Sequence, residues 1–190
     1  MLQRRLKLNP ERTKHDKLNK DNCFGQDVYV PASNWFIAAS LVLALILNFL
    51  PLQGDILVFR PDFVAIAIAY WNINHPHKMG MSVAFGMGLL MDAGSTGILG
   101  QHALAYCVIV YLTLIFGRRL RLFNSMQQAP QVGLILLIMQ TVIVLVAISG
   151  GSALPDGYYF LAAVSGTLLW APGSFLLSML LKQKSDPDAL

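Results

Sequence analysis

The chain is short of almost everything that enzymes use. It holds a single glutamate, Glu11, and two cysteines, Cys23 and Cys107, in 190 residues. Charged residues make up 13% of it, about half the roughly 25% usual in soluble domains. The cysteines sit in unlike surroundings, one in a polar stretch and one in an apolar run, and neither belongs to a CxxC or Cys/His spacing. That excludes a disulfide framework and a zinc-type ligand set. His75 and His77 flank Pro76 with no further ligand nearby in sequence, which reads as a polar turn and not a metal site. No Ser-His-Asp set, HExxH helix or phosphate loop is present. The expectation is no enzyme, no catalytic residue, no metal and no cofactor.

What the chain does have is apolar sequence. Hydrophobic residues reach 55% and the mean hydropathy is +0.56, which points to lipid as the solvent. Six segments are apolar enough to be membrane helices. The first is Trp35–Leu50, closed by Pro51, with no small-residue cleavage site after it, so it reads as a retained anchor. The second opens at Arg60-Pro61-Asp62, with proline at a helix start, and runs to about Ile73. The third begins at Gly80 and reaches Asp92, the fourth is Ile98–Phe116 and the fifth is Val132–Ile148, preceded by a polar turn, NSMQQAP. The sixth is Tyr158–Leu181 with Pro172 inside it, where a kink is expected. The fold class read from this is all-α, with six transmembrane helices in one domain.

Basic residues orient the bundle. Seven of the fourteen Lys and Arg lie in the first twenty residues, and Arg118, Arg119, Arg121, Lys182 and Lys184 flank later segments. Beside hydrophobic spans such a tail follows the positive-inside rule and does not signal nucleic acid. With six spans and an inner N-terminus, 13 of 14 basic residues lie inside and only Arg60 outside, while Asp55, Asp62, Asp92 and Asp156 fall outside. The expected organisation is therefore a disordered basic cytoplasmic tail (1–32), a six-helix transmembrane domain (33–182) and a cytoplasmic tail (183–190). A four-span arrangement with segments two and three as a re-entrant hairpin preserves nearly the same asymmetry, displacing only Lys78, and stays open. Five spans would move the Arg118–Arg121 cluster outside.

The stretch Lys78–Cys107 concentrates the unusual features. Gly80, Ala84, Gly88 and Asp92 recur every four residues, so a helix aligns a small-residue packing stripe ending in an acid. An unpaired charge in hydrocarbon costs ~3 kcal/mol or more, so a polar cluster of Arg60, Asp62, Asp92, Gln101 and His102 is expected at the outer boundary, with Arg60 the partner of Asp92. Such a cluster can clip helix ends together, dock a partner protein or line a small-ligand pocket. Trp35 and Trp71 read as an inner interfacial belt, Tyr158 and Tyr159 as an outer one. Trp170 reads as packing, and Gln127-Gln128 as interfacial.

Several motifs in order carry a family resemblance. They are Arg60-Pro61-Asp62, Tyr70-Trp71, the Pro76 turn, Gly80 through Phe85-Gly86, Gly88-Leu89-Leu90-Met91-Asp92, Leu99-Gly100-Gln101-His102-Ala103-Leu104 and Arg119-Leu120-Arg121-Leu122-Phe123. Over about Trp35–Leu181 the chain resembles the rod shape-determining membrane protein MreD family. The resemblance implies a non-catalytic scaffold in the bacterial inner membrane that supports lateral peptidoglycan synthesis and rod shape. It implies MreC as partner and, through it, MreB, RodA and a class B penicillin-binding protein. It also implies a fold similar to the substrate-binding subunits of energy-coupling-factor transporters. A substrate-binding subunit of a vitamin transporter is the alternative function.

Overall fold

The computed structural model describes residues 33–50, 60–95, 97–123, 125–153 and 157–184. The expected basic tail, the connection at 51–59 and Asp55, Asp156 and residues 185–190 lie outside the described residues. Within them the chain is all-helical, without strands: α1 Asn34–Phe49, α2 Phe63–Asn74, α3 Met81–Gly94, α4 Gln101–Leu120, α5 Ser125–Ser149, a 3-10 turn Gly157–Phe160 and α6 Leu161–Lys184.

Helix α2 is the centre of the bundle. Its twelve residues, FVAIAIAYWNIN, are apolar on every side, and a helix without a polar face belongs inside a core. Every residue from Val64 to Ile73 is buried. Helices α1, α4 and α6 pack against it, while α3 pairs with α4 and α5 bridges α4 to α6. Trp71, fully buried, donates its Nε1 hydrogen to Ser40 Oγ at 2.8 Å and meets Phe36 and Tyr70 edge-on. It is a core residue and not the interfacial anchor its sequence position implied; Trp35, 77% exposed, has the surface placement of a belt residue. Trp170 is buried and packs towards Tyr70, as expected.

Successive helices run antiparallel. The end of α1 meets the start of α2 through Asn48 and Asp62, and the end of α3 meets the start of α4 through Asp92 and His102. At the opposite end Asn72, late in α2, donates to Val110 O and Thr113 Oγ1, late in α4. Close approach of α3 and α4 depends on Gly88, where a Cβ would overlap the backbone of His102 and Ala103. Ala84 is buried on the same stripe, whereas Gly80 lies in open space.

The start of the fifth helix and the role of Gln128 differ from the sequence reading. Helix α5 begins at Ser125, seven residues before Val132, and takes Pro130 into its second turn. There only the Met126 carbonyl loses its partner, and Met126 is exposed. Gln128 is not merely interfacial: its Nε2 donates to Leu120 O and Phe123 O and so satisfies carbonyls at the end of α4.

The outer surface of the bundle is apolar. Leu43, Tyr111, Ile115, Leu134, Leu145, Leu168 and Phe175 are all more than half exposed. A continuous apolar exterior of this kind drives aggregation in water and is matched by lipid. Two helical stretches, Met126–Ser149 and Gly157–Leu181, are long and apolar enough to cross a membrane, and α1 to α4 supply shorter apolar helices.

Candidate functional site: a capped helix end and a polar cleft

Helix α4 starts with a glycine that has no side chain to cap it. Gly100 sits at φ 98°, the left-handed region that favours glycine, and turns the chain into the helix. The missing cap comes from the neighbouring helix. Asp92, near the end of α3, accepts the backbone N–H of Gly100 at 2.8 Å, of His102 at 3.0 Å and of Ala103 at 3.3 Å. A carboxylate placed on those N–H groups also meets the positive end of the helix dipole. The same oxygen that receives the His102 N–H lies 2.7 Å from His102 Nδ1. An ionised carboxylate only accepts, so Nδ1 carries the hydrogen of this contact. The Asp92 side chain is fully buried by these partners.

The second carboxylate does the same for α2. Asp62 is the N-cap and accepts Ala65 N–H at 3.0 Å; Pro61 stands just before the cap and not at the first helical position. Asp62 also accepts Asn48 Nδ2 at 2.8 Å and the Tyr106 hydroxyl at 2.8 Å. Asn48 reciprocates through its Oδ1, which receives Phe63 N–H at 3.0 Å. One buried amide thus joins the end of α1 to the start of α2, and one buried tyrosine joins α2 to α4.

Of the five residues expected to cluster, Asp92 and His102 are in direct contact and Asp62 lies in a linked network at the same end. Arg60 does not hold Asp92. Its guanidinium donates to Leu47 O at 3.1 Å, because N–H donors at the start of α4 already surround the Asp92 carboxylate. Gln101 turns towards Gly97. The sequence reading missed Asn48, Tyr106 and Gln140. Their common signal is a polar side chain in an apolar run, which in hydrocarbon must find a partner.

A cleft of about 200 Å³ opens among these elements. Its polar wall is Asn48, Arg60, Asp62, His102, Gln140 and Tyr159, and its apolar wall includes Met91, Met139 and Ile143. Among the described residues no three His, Cys, Asp or Glu side chains are grouped to hold a metal. Chemically, the two acids are spent on helix ends, which makes the arrangement a set of clips beside a small polar recess.

Residues 32–183 match the family described as rod shape-determining protein MreD. A relative named rod shape-determining protein MreD, from Haemophilus influenzae (strain ATCC 51907 / DSM 11121 / KW20 / Rd), is 28% identical over 151 residues, covering 79% of this chain and 93% of the relative. No solved structure matches the chain. The family match spans the whole bundle, including both capped helix ends, and the chain therefore belongs to the MreD family of rod shape-determining proteins.

Proposed function

We propose that the chain is a non-catalytic scaffold of the cell-elongation complex, a six-span inner-membrane protein with both termini cytoplasmic. It binds MreC and, through it, works with MreB, RodA and a class B penicillin-binding protein in lateral peptidoglycan synthesis. The observation that carries the reading is the use made of its polar residues. Asp62 and Asp92 each fix a helix start and reach a second helix, which is the chemistry of a rigid docking body. The fold proposed is that of the energy-coupling-factor substrate-binding subunits, with 1–32 and 183–190 as cytoplasmic tails. The vitamin-transporter alternative is not favoured: a cleft of about 200 Å³ is smaller than the roughly 300–1,000 Å³ of sites for drug-sized ligands.

Two features support six spans over four. The α2–α3 turn lies near enough to the end of α4 for Arg121 to influence His75. Asp62 and Asn72 contact early and late parts of α4 respectively. Replacing Cys23 and Cys107 and labelling a single cysteine at Asn74 tests the topology: labelling from the cytoplasmic side alone is expected, and labelling only from outside overturns six spans. Depletion in a rod-shaped host is expected to give round, lysing cells, and the tagged protein is expected to recover MreC. A growth arrest cured by a vitamin, or a pull-down without MreC, defeats the scaffold reading.

A further inference from the structure

One buried polar group in the cleft has no use in the clips. Gln140, on α5, is 5% exposed, and its Oε1 finds no hydrogen-bond partner among the described residues. It lines the cleft. A carbonyl oxygen withdrawn from water and left bare is costly, and such a group in a native fold calls for an explanation. Asn48 and Asp62, on the same wall, are already committed to each other, to backbone N–H groups and to Tyr106. The neutral acceptor facing the recess is Gln140.

Arg60 supplies the opposite character. It lines the same cleft, is half-buried, and spends one N–H on Leu47 O. A guanidinium has five N–H donors in a planar fork suited to phosphate oxygens. His102 lends Nδ1 to Asp92, which leaves Nε2 as its ring nitrogen for a ligand. The recess therefore combines a cation for an anionic group with an unsatisfied acceptor for a nearby donor. It stands where α1 and α2 end and begin, and α5 continues nine residues past Gln140 to Ser149. In the six-span reading the level at which α1 ends and α2 begins is where lipid head groups lie, and Gln140 is set about 13 Å deeper than the end of α5.

We propose that this cleft binds the head group of a membrane phospholipid in which a hydrogen-bond donor, a glycerol hydroxyl or an ethanolamine ammonium, sits a few bonds from the phosphate. The phosphate faces Arg60 and the donor satisfies Gln140 Oε1. The size agrees: about 200 Å³ takes a head group and not a whole lipid or a vitamin. Asp62 is the one acid on the wall, and its oxygens are occupied by Asn48, Ala65 N–H and Tyr106. The proposal rests on the membrane-scaffold reading for the depth of the cleft, and it identifies what that scaffold holds at its outer end.

The test uses the full chain purified in maltoside detergent and titrated with short-chain phosphatidylglycerol, phosphatidylethanolamine or phosphatidylcholine, or with inorganic phosphate. Binding is read by native mass spectrometry and by the thermal midpoint. The glycerol and ethanolamine lipids are expected to bind about tenfold tighter than the choline lipid, which has no donor, the equivalent of one net hydrogen bond. Gln140→Leu is expected to erase that preference without lowering the lipid-free midpoint, since it removes a bare buried oxygen. Arg60→Gln, at a half-buried position, is expected to weaken all three lipids and serves if the first variant does not fold. Equal affinity for the three lipids, or a preference unchanged by both variants, overturns the proposal. So does inorganic phosphate binding as tightly as the lipids, which would make the recess a free-anion site. No lipid binding together with a cross-link from position 140 to a co-purified MreC would hand the cleft to a partner side chain; MreC recovery without lipid binding removes the lipid and leaves the scaffold.

Discussion

Asp92 Oδ1 lies 2.7 Å from His102 Nδ1, and the same carboxylate covers the exposed N–H groups at the start of the helix that carries the histidine. An acid on one helix thus performs the capping that Gly100 cannot. This pairing fixes the angle and register of α3 on α4, and it is the contact whose loss should be most readily measured.

Asp92→Asn keeps the shape but halves the acceptor capacity and places an amide NH₂ against backbone N–H groups. The expected loss is about 2–3 kcal/mol, the scale of buried hydrogen bonds to a charged group. Thermal unfolding in detergent measures it, and a double-mutant cycle with His102→Ala should show coupling above about 0.5 kcal/mol. Additive effects would mean the two side chains are neighbours without mutual support.

Asp62→Ala removes a helix cap and strands Asn48 and Tyr106 at once. We expect about 2–3 kcal/mol of destabilisation from cap loss and unpaired buried groups together. Tyr106→Phe should cost less, because only one of Asp62's partners is lost. If the two variants were equal, the cap and the Asn48 bond would be contributing nothing.

Gly88→Val places a branched side chain where even a Cβ overlaps Ala103 and His102. Overpacking of this kind costs about 1–3 kcal/mol, and the α3–α4 contact should loosen, read as faster proteolysis of the α3–α4 turn. Gly86→Ala is the control. Its Cβ meets nothing within 4 Å, so the variant should match or slightly exceed the parent through better helix propensity.

His75, in the turn between α2 and α3, carries a pH dependence. Burial lowers its pKa from the ordinary 6.5, and the charges of Lys78 and Arg121 lower it further. Below 6.5 the unfolded chain then binds a proton that the folded chain resists, so stability rises with pH through that window. The contribution is complete above the unfolded value and fades as pH falls from 6.5 towards the folded value. The thermal midpoint should be lower at about pH 5 than at about pH 7.5, and His75→Gln should flatten the difference. A midpoint that instead rises on acidification would be incompatible with a lowered histidine pKa.

The helices and the clustering of polar groups at one end were legible in the sequence because both follow from periodicity and charge. A four-residue repeat places Asp92 on the stripe that faces α4, and topology brings His102 beside it. The Arg60–Asp92 pairing expected from charge did not form, because matching charges ignores the dense, oriented donors at a helix start. Those N–H groups, concealed in the plain string Gly100–Ala103, hold Asp92 more completely than one flexible guanidinium does. Asn48, Tyr106 and Gln140 were missed for a related reason. A neutral polar residue barely dents an apolar run, and its partner is set by three-dimensional packing. Trp71 shows the converse error: an aromatic near a helix end looks interfacial until its neighbours enclose it.

The helices also differ greatly in length. Helices α1 and α3, whose C-terminal ends meet through Phe49 and Gly94, have 16 and 14 residues, about 24 and 21 Å at 1.5 Å per residue. Helix α5 has 25, about 37 Å, against a hydrocarbon core of about 30 Å. In the six-span arrangement proposed above, a bilayer meets helices of unequal reach. It must thin beside α1 and α3, or the whole bundle must lean to balance them. Either response couples the protein to the thickness of the bilayer around it.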